Sequence, residues 1–391
     1  MRTRKFFRIT GFVVAGALLL CIGAVALSTL SNLGLPTRSS TPDRLSELDK
    51  AHLAEVSHLR QTLGAQVWPG WEKADIPILV YNEGYAFLVN YSNPPDGWLK
   101  VPSGEKRGGP WEAVPGDTFQ GTVYYRQRLP DPEITPEAFT VQIGDRWVAS
   151  FQTREYAQIS LISGIRESLP SFLRAIFPYR VMWRLLMGDT ETYIGTLEHE
   201  AFHAYQGIAS PERLAEAESS VQVDSQYPWE NPALEDAWQT ELNLLYEAAR
   251  ADTKDDAAVL AREFLAQRDQ RRAANGLEPE YIDLEQRREW EEGLAKYVEL
   301  EIQRQAALTE DYIPEPGMNK DPDFKNYATR LRYWSNQLSE VNRMSNRKED
   351  TRFYYSGFAQ ATLLDRLMPG WKEQALEPDI WLEDLLRQAV Q

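Results

Sequence analysis

The chain has 391 residues, with 58 acidic against 42 basic side chains and a formal net charge of −16. That balance, with no basic stripe, excludes a nucleic-acid-binding role and makes the chain as a whole a poor partner for anionic lipid. Cys21 is the only cysteine, so no intrachain disulfide is available. The fold must rest on core packing, which a chain of this length with 43% hydrophobic residues can supply.

Arg2, Arg4, Lys5 and Arg8 make residues 1–9 a basic head, and no further charge appears before Arg38. Residues 10–30 are mostly apolar and long enough to cross a bilayer as a helix. An uncleaved signal-anchor is expected rather than a cleaved signal peptide, because the small-residue site Ala24-Val25-Ala26 lies inside the apolar run. The charge asymmetry predicts a single-pass membrane protein, attached through this N-terminal helix, with residues 1–9 cytoplasmic and the rest extracytoplasmic. A disulfide-free exported domain fits a bacterial envelope.

Residues 31–65 read as a linker and a stalk helix, with Leu45, Leu48, Val56, Leu59 and Leu63 at helical spacing up to Gly64. His52 and His58, six positions apart, have no ligand spacing and are expected to be solvated. Residues 66–155 read as a β-rich region. Ile78–Tyr81 and Tyr85–Val89 flank Asn82-Glu83-Gly84 as one hairpin, Thr122–Tyr125 is a further strand, and Phe139–Ile143 with Arg146–Phe151 flank Gly144-Asp145 as a second hairpin. From residue 156 to 391 the pattern is helical. Within it, Ile165–Met187 mixes apolar residues with Arg166, Arg174, Arg180 and Arg184. That composition suits either a buried helix pair broken at Pro178 or, less favoured in so acidic a chain, a helix lying flat on a membrane. The expected fold class is therefore α+β and mostly helical, with a transmembrane helix, a β-rich region and a helical region.

The chemistry concentrates in His199-Glu200-Ala201-Phe202-His203, an H-E-x-x-H that uses two of the chain's four histidines. Two histidines four apart lie one turn apart on one helix face, so both imidazoles reach one cation. Glu200 lies off that line, placed to take a proton from water activated by a metal. Asp189 and Thr190 are suitable N-caps, Glu191 suits the positive helix end, and Gly207 is placed to close the helix.

A catalytic zinc needs a third protein ligand, and no histidine follows His203, which leaves a carboxylate. Glu291-Glu292-Gly293-Leu294-Ala295-Lys296-Tyr297 resembles the N-E-G-F-A type element of gluzincin metallopeptidases. The resemblance implies a zincin-like domain with Glu292 as third ligand to one zinc per chain; residues 66–155 would then be either the small sheet whose edge strand aligns a peptide substrate in such folds or a separate accessory domain. Glu289, one turn earlier, is the rival. The 89 positions between His203 and Glu292 exceed the gap of better-known gluzincins, so residues 208–284 read as a helical insertion. Gly293 is expected to let the histidine-bearing helix approach closely. Peptide hydrolysis builds negative charge on the carbonyl oxygen, and gluzincins usually add a tyrosine or histidine donor. Tyr355, in Phe353-Tyr354-Tyr355-Ser356-Gly357-Phe358-Ala359, is the choice among the two tyrosines there. Gln206 and Tyr297 are expected to orient ligands or meet substrate. The expected function is zinc-dependent hydrolysis of a peptide or protein substrate with Glu200 as general base. The alternative is a non-catalytic zincin-like binding or scaffold module.

Overall fold

The computed structural model describes residues 20, 22–102, 104–129, 141–348 and 350–391. After a short helical stretch at residues 22–31, helix α1 (Glu47–Val67) opens on a capping box. Ser46 Oγ accepts from the Asp49 amide, and the Asp49 carboxylate accepts from the Ser46 amide. Val56, Leu59, Leu63 and Val67 are wholly buried. His52 is buried too, 2.7 Å from Asp321, while His58 is half-buried and meets the Ile313 carbonyl. The expected stalk is thus a core helix: its apolar stripe has a partner within the chain.

The β-rich region forms one eight-stranded sheet from β1 (Ile78–Tyr81), β2 (Tyr85–Val89), β3 (Trp98–Lys100), β4 (Lys106–Arg107), β5 (Glu112–Ala113), β6 (Tyr125–Arg128), β7 (Val141–Ile143) and β8 (Arg146–Gln152), in the order β4-β3-β7-β8-β1-β2-β6-β5. β1 and β2 form the expected hairpin, with Val80 opposite Phe87, and β7 and β8 form the second. β1 and β8 run parallel. The strand expected at Thr122–Tyr125 starts three residues later, because Phe119 and Thr122 close a tight turn on each other. Ile78 and Val80 face the main core, whereas Leu79 and Tyr81 face a second, smaller one. The sheet is apolar on both sides, each covered by its own set of side chains.

The helices that follow are α2 (Arg154–Ser168), α3 (Ser171–Arg174), α4 (Tyr179–Leu186), α5 (Thr190–Ala209), α6 (Pro211–Asp224), α7 (Pro232–Arg250), α8 (Lys254–Ala274) and α9 (Pro279–Arg288). A π-helical turn, Glu289–Gly293, joins α9 to α10 (Leu294–Leu308). Then come α11 (Arg330–Glu340), α12 (Thr351–Leu367), α13 (Trp371–Gln374) and α14 (Leu382–Ala389). The strand against α5 is β8, which is interior to the sheet, and the sheet's edges are the two-residue strands β4 and β5.

Two further expectations are corrected. Among the described residues no helix is long and apolar enough to cross a membrane, which overturns the transmembrane helix, the signal-anchor and the single-pass placement. Residues 10–19 and Cys21 of the expected span lie outside the described residues. The described part of that segment, residues 22–31, is a helix. Its end is tied down laterally: Ser28 donates to the Ile176 carbonyl and Asn32 to that of Phe177. The buried helix pair expected over 165–187 is also absent. Pro178 does start a new helix, but Phe172, Val181, Leu185 and Leu186 are exposed.

A buried ionic network ties α7, α8, the π-turn and α14 together. Arg268 donates to Glu241, Glu383 and, through two nitrogens, Glu289; Arg271 donates to Glu241 and Glu285; Arg272 donates to Glu285 and Glu383. Each carboxylate has at least one guanidinium partner, the condition under which buried charge is tolerated.

Candidate metal centre

Helix α5 is fixed before its ligands are reached. The Asp189 carboxylate accepts from the Thr192 amide as N-cap, and Glu191 in the first turn accepts from the amides of Lys325 and Tyr327. Ile194, Leu197, Ala201, Phe202 and Ala204 are wholly buried around the remaining turns. Gly207, expected to end the helix, lies inside it, and a Cβ there would meet the Trp147 ring at 2.5 Å. This glycine admits β8 rather than terminating α5.

His199, Glu200 and His203 are all buried. His199 Nε2 and His203 Nε2 lie 3.0 Å apart, and Glu292 Oε2 lies 3.1 Å from the first and 3.4 Å from the second. The rival Glu289 points elsewhere, held by Arg268 and by the Ser356 hydroxyl. The π-turn explains the divergence. In an α-helix residues three apart share a face, but the wider π-turn rotates them away from each other.

Gly293 permits a close approach, though to a different helix from the one expected. A Cβ on Gly293 would meet Gly357 Cα at 2.5 Å, so α12 rather than the histidine helix packs there. That contact brings Tyr354, one turn before Gly357, over the site. Its ring stacks on His199 with centroids 5.5 Å apart at 4°, and burial together with the nearby Glu292 carboxylate pushes its hydroxyl pKa well up. Tyr355, the tyrosine expected at the site, donates to Gln337 instead. A cavity of about 240 Å³ beside the two tyrosines is lined also by Lys296, Asp350 and Thr351.

Outer partners hold the ligands. Gln206 Oε1 lies 2.9 Å from His203 Nδ1, and its amide nitrogen donates to the Trp290 carbonyl, linking α5 to the π-turn. Glu299 Oε2 is 3.5 Å from His199 Nδ1, and Arg288 Nη2 donates to Glu292 Oε1 at 2.8 Å. Tyr297 has no part in the cluster and donates to Asp365. Glu299, Arg288 and Tyr354 were not singled out from the sequence. The available signals were spacing: Glu299 is two turns after Glu292 and Arg288 one turn before it.

The electrostatics follow from burial and these contacts. Burial would lower the His199 pKa, but the adjacent Glu292 and Glu299 carboxylates outweigh it and hold the imidazole up to about 10. Burial pushes Glu200 up to about 7, against the opposing pull of both histidines. Glu292, despite its burial, is held well below the usual carboxylate range by His203, Arg288 and His199.

These residues fit a zinc-type ion. Two imidazole nitrogens and one carboxylate oxygen can lie within 4.8 Å of one another, and all three side chains are buried. Ligands about 2.0–2.1 Å from a tetrahedral ion sit roughly 3.3 Å from each other, close to the separations found here. No family model matches the chain, and no curated protein or solved structure matches it either.

Proposed function

We propose that the chain is a zinc-dependent hydrolase, and specifically a peptidase, in which His199, His203 and Glu292 hold one metal ion. The observation that carries this reading is the convergence of those three side chains with Glu200 beside them on the same buried helix. A structural zinc site has no need of such a carboxylate. Bound there, zinc supplies Lewis-acid polarisation of the scissile carbonyl and acidifies water.

The protein's own groups do the rest. Glu200, whose carboxyl burial pushes up, is the group that takes a proton from water and later releases it to the leaving amine. Gln206 holds the Nδ1 side of His203 and the Glu299 charge lies 3.5 Å from His199 Nδ1, while both Nε2 atoms face Glu292. Tyr354 is a positioning residue that stacks over His199.

The test compares wild type with Glu200→Gln, both zinc-loaded, on a broad peptide library. Glu200→Gln should retain zinc and lose about 100- to 10,000-fold in hydrolysis rate, the usual general-base contribution. Equal rates would remove Glu200 from the mechanism. A zinc-loaded wild type that cuts no peptide would favour the binding-module reading.

A further inference from the structure

Seventeen large apolar side chains are exposed among the described residues, and ten of them lie in residues 20–33 and in α3–α4. The two segments are neighbours. Arg180 Nε donates to the Ser31 carbonyl, and Ser28 and Asn32 donate to carbonyls at 176 and 177. Helix α4 shows why this exposure is unusual. Its inward face is already satisfied, since Tyr179 and Trp183, one turn apart, are buried. A surface helix with one buried apolar face should carry polar residues opposite it. Val181 and Leu185 stand there instead, 54% and 72% exposed, with Phe172 of α3 at 74%.

Charge selects what covers this face. Between residues 156 and 187 lie Arg166, Arg174, Arg180 and Arg184 against the single acid Glu167, in a chain of net charge −16. None of the four arginines pairs with a carboxylate among the described residues. Arg166 lies over the Tyr179 ring, while Arg174 and Arg180 donate to backbone carbonyls. A second copy of this face would set arginine against arginine, because a two-fold interface meets itself. An anionic bilayer surface satisfies both features: apolar side chains enter the headgroup boundary while arginines reach the phosphates.

We infer that α3–α4 and the adjoining 22–33 segment form an interfacial docking face for anionic lipid bilayers, lying on the membrane without crossing it. The local cluster acts against the repulsion of the acidic remainder, because charges beyond about 8 Å are screened at physiological salt.

The test uses the full chain with Cys21→Ser and one introduced cysteine, Leu185→Cys, Phe172→Cys or the control Val259→Cys, each carrying an environment-sensitive fluorophore. On vesicles of phosphatidylcholine with phosphatidylglycerol, labels at 185 and 172 should shift to the blue and be quenched by brominated acyl chains, while the label at 259 stays water-like. Adding Arg174→Gln, Arg180→Gln and Arg184→Gln should weaken that shift on the order of a hundredfold in lipid concentration. Labels at 185 and 172 that remain water-like on these vesicles would overturn the proposal. So would a blue shift that needs no lipid and grows with protein concentration, which would make a second copy the occupant.

Discussion

Glu289 and Glu292 are buried in the same π-helical turn, yet they belong to two differently constructed regions. On the α7–α8–α14 side, Glu289 joins Glu241, Glu285 and Glu383 around three arginines, and every carboxylate has a guanidinium partner within the protein. On the α5 side, Glu292 faces two imidazoles whose Nε2 atoms also face each other. Arg288 takes only Glu292 Oε1, so Oε2 is left to converge with the two Nε2 atoms. The contrast lies in how far arginine occupies each buried carboxylate: both Glu289 oxygens are taken by Arg268, whereas one Glu292 oxygen stays with the imidazoles, a set that can receive a cation.

The sharpest way to break the structural side is Arg268→Ala. It would strand Glu289, Glu241 and Glu383 with fewer counter-charges, and removing one partner of a buried pair costs about 3–5 kcal/mol. Denaturant unfolding should register that loss; a change within about 0.5 kcal/mol, as at ordinary surface sites, would mean the network is not what holds these helices together.

Acid should act on the same side. Although burial alone would raise it, Arg271 and Arg272 hold the Glu285 carboxyl down to about 2 from an ordinary 4.5. A depressed folded-state pKa stabilises the fold above the unfolded value. That contribution is complete above about pH 4.5 and is lost as the pH falls from there toward 2. Glu285→Gln should flatten this part of the stability–pH curve, and an unchanged slope would contradict the assignment.

A smaller effect sharpens the metal side. Glu299→Gln keeps the side chain's shape but removes the charge beside His199 Nδ1. Outer-partner losses of this kind cost about 10- to 100-fold in metal affinity, so zinc titration should weaken by that factor, and unfolding should register the lost partner of Lys296 as well. Unaltered affinity would make Glu299 a bystander paired only with Lys296.

Much of this division was legible in the amino-acid order. The H-E-x-x-H motif, the β1–β2 hairpin and the mostly helical second half follow from spacing alone. The choice between Glu289 and Glu292 was not, because both fit one α-helical face and nothing in Glu289–Gly293 announces a π-turn. Tyr354 was hidden for a related reason: its place depends on Gly357 meeting Gly293, a contact between segments 64 positions apart. The supposed stalk misled because an apolar stripe says that a helix is covered and not by what. In 165–187, apolar residues were assigned to a core, whereas only Tyr179, Trp183 and Ile162 on the preceding helix found neighbours to bury them in that cluster or nearby.

The most direct measurement is the zinc content of three purified full-length proteins: wild type, Glu292→Gln and Glu289→Gln. Both substitutions preserve shape, so any difference reads the role of the charge at each position. The expected result is one zinc per chain in wild type, a sharp loss in Glu292→Gln, and retained zinc with lowered stability in Glu289→Gln. Full zinc occupancy in Glu292→Gln, or none in wild type, would contradict the separation of the two carboxylates into a metal ligand and a structural partner.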